Sequence, residues 1–154
     1  MTTTTTAAAV DSGRKPMNPP VPLWDISGPA ARKLPRRVLV VDDEPLIRWS
    51  VTETLAGLGL VVEQAGDAAT ALRLITTAPF EFDVIVLDLR LPDMRDLSLL
   101  ATIRQLQRDA SIVLMTAFGT DEIVERAIAL GAHSVLNKPF ELGDLIDAVF
   151  GVTA

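Results

Sequence analysis

Four short apolar runs, each ending on a residue that holds charge or a hydroxyl, constrain this chain more than any other feature. Val38-Leu39-Val40-Val41 leads into Asp42-Asp43-Glu44, and Val84-Ile85-Val86-Leu87 into Asp88. Ile112-Val113-Leu114-Met115 leads into Thr116, and Val135-Leu136-Asn137 into Lys138-Pro139. Continuous β-branched runs bounded by turn residues are the pattern of strands covered on both faces of a parallel sheet. Ligands bind beyond the carboxyl ends of such strands. The sequence therefore gathers acids, a hydroxyl and an ammonium on one edge of one sheet.

Helical stretches fill the intervals. Pro45 suits a first helical turn, and Ile47, Val51, Leu55 and Leu58 follow at helical spacing on the face expected to meet the sheet. Leu60–Gln64 reads as a second strand. Asp67 is placed to cap a helix through Thr77, with Ala68, Ala71, Leu72 and Ile75 inward. Asp96 or Ser98 opens a third helix carrying Leu99, Leu100, Ile103 and Leu106. Thr120 or Asp121 caps a fourth that ends at Gly131. A strand over Ser134–Leu136 and a helix over Glu141–Phe150 complete five βα units. The pattern predicts an α/β, flavodoxin-like doubly wound sheet of five parallel strands in order 2-1-3-4-5, with helices on both faces.

Composition divides the chain in two. Residues 1–35 open with five threonines and hold prolines at 16, 19, 20, 22, 29 and 35, so they are expected to form a disordered tail. Leu23-Trp24-Asp25-Ile26 is a small apolar cluster within it. Residues 36–152 are expected to form the folded domain. The net charge of −6 splits into +4 over residues 1–37 and −10 over the rest. An acidic body argues against nucleic acid as a partner and suits a cation or a basic surface. No run reaches the roughly 18–20 apolar residues of a membrane helix, no secretory signal is evident, and cysteine is absent. A cytoplasmic protein without membrane insertion is expected.

The order 2-1-3-4-5 puts its switch point between the strands that end in Asp42-Asp43 and in Asp88, so these carboxylates should share one crevice. Three acids so close repel, and burial would raise their pKa values unless a cation compensates. Mg²⁺ suits a site with few carboxylates, water and a phosphate oxygen. Lys138 adds a positive charge and Thr116 a hydroxyl donor, both suited to a transferring phosphoryl group. Asp88, alone at the sheet centre, is the candidate nucleophile, and Asp42 and Asp43 the candidate metal carriers. His133 has no His or Cys companion, which leaves zinc without support.

These residues resemble the response-regulator receiver domain of two-component signalling. The matches are Val38-Leu39-Val40-Val41-Asp42-Asp43-Glu44-Pro45, Asp83 through Pro92, Met115-Thr116-Ala117 and Asn137-Lys138-Pro139-Phe140. The resemblance covers Arg37 to about Phe150. It implies that Asp88 accepts phosphate from a phosphohistidine on a sensor histidine kinase or histidine phosphotransfer protein. It also implies Mg²⁺ on Asp43 and Asp88, with Asp42 assisting through water and the Arg90 backbone carbonyl as a further ligand. Thr116 and Lys138 would contact the phosphoryl oxygens, and the Lys138–Pro139 peptide would be cis. Trp49, Val135 and Pro139 would belong to the partner surface.

Two positions depart from the family pattern. Val135 stands where the family usually has an aromatic, and valine is stiff at χ1, so coupling to the output protein is expected to run through the Phe118–Thr120 loop and the fourth helix. Asp96 stands where a glycine is usual. The expected function is a stand-alone phosphorylatable switch without turnover of external substrates. The alternatives are a phosphorelay intermediate and an aspartate-nucleophile phosphohydrolase. The last usually has a second acid two residues after the nucleophile, where this chain has Arg90.

Overall fold

The structure, a computed structural model, describes residues 35–151. The expected tail, with its Leu23-Trp24-Asp25-Ile26 cluster, lies outside the described residues apart from Pro35. The elements alternate as β1 (Arg37–Val41), α1 (Pro45–Gly57), β2 (Val61–Ala65), α2 (Ala68–Thr77) and β3 (Val84–Asp88). They continue with α3 (Ser98–Leu106), β4 (Ser111–Thr116), α4 (Asp121–Ala129), β5 (Ser134–Asn137) and α5 (Leu142–Gly151). All strand pairs are parallel, and the sheet order is β2-β1-β3-β4-β5, as the sequence predicts.

Strand alternation sorts the apolar runs onto two faces. Val38, Val40, Val84, Val86, Val113 and Met115 face one way, under Val51 and Leu55 of α1 and Leu145 and Val149 of α5. Leu39, Val41, Ile85, Leu87, Ile112 and Leu114 face the other, under α2, α3 and α4. Both cores are dry at the centre: every one of these strand residues is at most 1% exposed.

The starts of α2 and α4 follow capping chemistry. Asp67 accepts from Thr70 N and Thr120 from Ile123 N. The first two amides of α2 have a second partner from far along the chain. Asp93, in the β3–α3 loop, accepts from Ala68 N at 2.8 Å and Ala69 N at 3.0 Å. These bonds, Ala68 first, hold its carboxyl below the usual range.

Two residues expected in the core lie outside it. Leu58 is 42% and Leu106 46% exposed. Leu58 follows the last residue of α1, where the chain turns through Gly59 at φ 92°. Leu106 ends α3, and the neighbouring buried place goes to Gln107, whose side chain accepts from Phe82 N at 3.0 Å. Ile47 and Leu72 are half-buried at the core margins.

Candidate functional site

The register brings the polar strand ends to one edge. Val41 of β1 is level with Leu87 of β3, Asp88 with Met115 of β4, and Thr116 with Asn137 of β5. Asp42, Asp43 and Asp88 each present a carboxylate oxygen within 4.8 Å of the others. Asp42 and Asp88 are buried, whereas Asp43 is exposed. Lys138 Nζ lies 2.9 Å from Asp42 Oδ2, 3.0 Å from Glu44 Oε1 and 3.4 Å from Asp88 Oδ2. A cleft of about 290 Å³ opens over this group, with Asp88, Lys138, Arg90, Arg95 and Ala117 in its wall.

The backbone holds the acids in place. Asp42 N donates to Ala65 O, and Asp42 Oδ1 accepts from Glu44 N at 2.8 Å. Arg48 reaches back from α1 to the Asp42 carbonyl at 2.6 Å. Asp88 Oδ1 accepts from Arg90 N at 3.3 Å. The Lys138–Pro139 peptide is cis, and Lys138 N donates to Thr116 O.

Asp88 carries the electrostatic signature of the site. Burial first, and then the charge of Asp42, push its carboxyl up to about 6, although Lys138 and the Arg90 amide pull it down. Burial alone would lower the Lys138 ammonium; hydrogen bonds to Asp42 and Glu44 and the charges of Asp42 and Asp88 hold it above its ordinary value. One ammonium shared among three carboxylates leaves the cluster short of positive charge. Oxygen donors in that state fit a hard divalent cation.

Thr116 is buried, and its hydroxyl accepts from Phe118 N at 3.0 Å. Its neighbour Ala117, rather than Thr116 itself, lines the cleft. Trp49 stands 59% exposed on α1. Val135 is half-buried against the core beneath α2, α3 and α4, and Pro139 is exposed. Asp96 accepts hydrogen bonds from the backbone N and Oγ of Ser98, just ahead of α3.

Sequence reasoning did not assign three participants. Glu44 completes the lysine's coordination, Arg48 braces the acid pair, and Gly119 allows a close crossing. A Cβ at Gly119 would collide with Asn137 Oδ1. The acidic run Asp42-Asp43-Glu44 was the available signal for Glu44; nothing in the local pattern marks the other two.

Fold and cleft together define an open-sheet α/β protein that concentrates charge at its topological switch point. Residues 38–150 match the response regulator receiver domain, and the chain belongs to that family. It is 38% identical over 117 residues to the transcriptional regulatory protein PdtaR of Mycobacterium tuberculosis, a match covering 75% of this chain and 56% of that protein. It is 32% identical over 121 residues to the probable chemotaxis protein CheY of Rhizobium etli, covering 75% of this chain and 92% of that one. Among solved structures, a response regulator from Burkholderia pseudomallei with a phosphorylated aspartic acid, calcium ion and citrate superposes with a TM-score of 0.68. That pair shares 30% identity and covers 74% of this chain and 66% of the other. The CheY-like receiver domain of Methanospirillum hungatei gives a TM-score of 0.69 at 28% identity, covering 74% and 90%. The chain spans about half the length of PdtaR and 23% of the NtrC regulator of Azospirillum brasilense.

Receiver domains are signalling modules of two-component systems rather than enzymes that turn over substrate, and they typically bind Mg²⁺ at an acidic pocket. No helix among the described residues is long and apolar enough to cross a membrane.

Proposed function

We propose that the chain is a phosphorylatable cytoplasmic switch in which Asp88 accepts a phosphoryl group from a phosphohistidine and the change is read by a partner protein. The observation that carries this reading is the buried Asp88 carboxyl, clustered with Asp42 and Asp43 and bridged by Lys138. A carboxylate serves as phosphoryl acceptor only when ionised, and its surroundings place Asp88 near the boundary at about 6.

Asp42, Asp43, Asp88 and the Arg90 carbonyl would hold Mg²⁺. Bound there, the ion supplies positive charge that keeps Asp88 ionised and offsets charge on the phosphoryl oxygens. Lys138 is positioned to exchange one of its carboxylate partners for a phosphoryl oxygen. The Thr116 hydroxyl, one residue from the cleft wall, is the second donor. Ala117 leaves the approach to Asp88 open.

Intact-mass measurement after incubation with acetyl phosphate and Mg²⁺ tests the assignment. The expected result is one phosphoryl adduct, lost on metal removal and absent in Asp88→Asn. Release of inorganic phosphate in many turnovers without an adduct would instead indicate a phosphohydrolase.

The partner surface in this reading includes Trp49, Val135 and Pro139. An exposed tryptophan is the kind of side chain that anchors an interface. Trp49→Ala is expected to slow phosphotransfer from the cognate histidine kinase about tenfold, the equivalent of roughly 1.4 kcal/mol. Rates with acetyl phosphate should stay at the wild-type value. Equal kinase rates in the two proteins would remove Trp49 from the donor surface.

A further inference from the structure

Resting on the assignment of Asp88 as acceptor, we propose that Arg95 is a specificity-determining residue, capturing the dianionic phosphoryl group of an incoming donor at the lip of the cleft. Arg95 lines the same cleft as Asp88 and Lys138. Its side chain is exposed and makes no hydrogen bond, ion pair or ring contact with any described residue.

The other cations around the cleft are already engaged. Lys138 divides its ammonium among three carboxylates. Arg90 lies over the Phe118 ring, with Cζ 4.2 Å from the centroid. Arg48 is bonded to the Asp42 carbonyl. Arg95 alone in the cleft wall presents an uncommitted guanidinium.

Its backbone is fixed from both sides. Leu91 and Met94 exchange backbone hydrogen bonds at 3.0 and 3.3 Å. Asp93 is bound to the first two amides of α2, and Asp96 to Ser98 at the start of α3. A long side chain on an anchored segment sweeps a limited volume, and here that volume borders the cleft.

The physical need is for positive charge at the entrance. A donor such as an acyl phosphate or a phosphohistidine presents a dianion to a mouth that also carries Asp43 and Glu44. Like charges repel the donor before it reaches Lys138. A guanidinium offers a planar fork matched to two phosphoryl oxygens. In the transfer, an Asp88 carboxylate oxygen forms the new P–O bond. The donor's bond to phosphorus breaks, and its electron pair leaves with acetate from an acyl phosphate, with the imidazole nitrogen of a phosphohistidine, or with the ammonia of phosphoramidate. Arg95 forms no bond to phosphorus in this step.

Initial rates of adduct formation, measured by intact mass with acetyl phosphate and with phosphoramidate at saturating Mg²⁺, test the proposal. Wild type is compared with Arg95→Ala and Arg95→Lys, and Asp88→Asn is the control. The expected result for Arg95→Ala is a three- to tenfold rise in the half-saturating concentration of both donors, with the maximal rate unchanged. Arg95→Lys should recover most of the loss, and the wild-type advantage should shrink as salt is added. Unchanged concentration dependence, or a fall in maximal rate alone, overturns the proposal. An effect confined to acetyl phosphate also overturns it, because the shared phosphoryl group would then not be the recognised part. An adduct that persists in Asp88→Asn overturns the acceptor assignment instead.

Discussion

Asp88→Asn should raise the stability of the metal-free protein at pH 7 by about 1–2 kcal/mol, less than the full shift of the carboxyl would give, because its place in the wall of an open cleft leaves its charge partly screened by solvent. In the fold this acid sits at about 6 against an ordinary 3.8, because burial and the neighbouring Asp42 charge disfavour its ionised form. A raised folded value means that the native state binds the proton more tightly than the unfolded chain. The contribution of Asp88 to stability therefore falls as pH rises from about 4 to about 6, and is fully unfavourable above that window. Asparagine keeps the shape and removes the charge, while Lys138 retains its two nearer partners. Thermal melts in chelator at pH 5 and pH 7 read the effect directly. The variant should melt higher at pH 7, and the difference should narrow at pH 5. Adding Mg²⁺ should stabilise the wild type more than the variant. A variant that melts lower than the wild type at pH 7 without metal would mean that the carboxylate is held by more positive charge than the described residues provide.

Lys138→Met should have the opposite and larger effect, a loss of about 3–5 kcal/mol, the cost typical of stripping one partner from a buried ion pair. Methionine matches the length of the stem but leaves Asp42, fully buried, and Asp88 without their shared ammonium. Because its carboxylate partners hold the lysine above its ordinary range, its contribution is fully present below the ordinary lysine pKa and is lost only in strong base. Urea titration in chelator at pH 7 measures the loss. The double variant Lys138→Met with Asp88→Asn should recover part of it, since one of the stranded charges is gone. A single-variant loss below about 1 kcal/mol would place the Lys138 cluster in the weak class of exposed pairs.

The fold was legible because its central strands β1, β3 and β4 are covered on both faces, which writes them as apolar runs. The placement of the acids followed, since strand order puts the ends of β1 and β3 side by side. What escaped sequence reading depends on side chains that cross between segments. Glu44 stands at the N-cap position of α1, yet its side chain caps nothing and bonds Lys138 instead, 94 residues away. Asp93 reads as a turn acid beside Pro92, but it binds α2 across the sheet edge. Leu106 has the helical spacing of a core residue, and Gln107 is buried in its stead because Phe82 N needs an acceptor. Local periodicity ranks leucine above glutamine at such a place; the backbone amide of Phe82 reverses the order.

The division of the apolar side chains between two faces bears on how signals cross the molecule. Val51 and Leu55 anchor α1, where a donor would dock through Trp49, to one side of the sheet. Ala127 and Ile123 anchor α4 to the other. With a response read at α4, input and output would sit on opposite faces of the sheet, with the strands and the loops that leave their carboxyl ends lying between them.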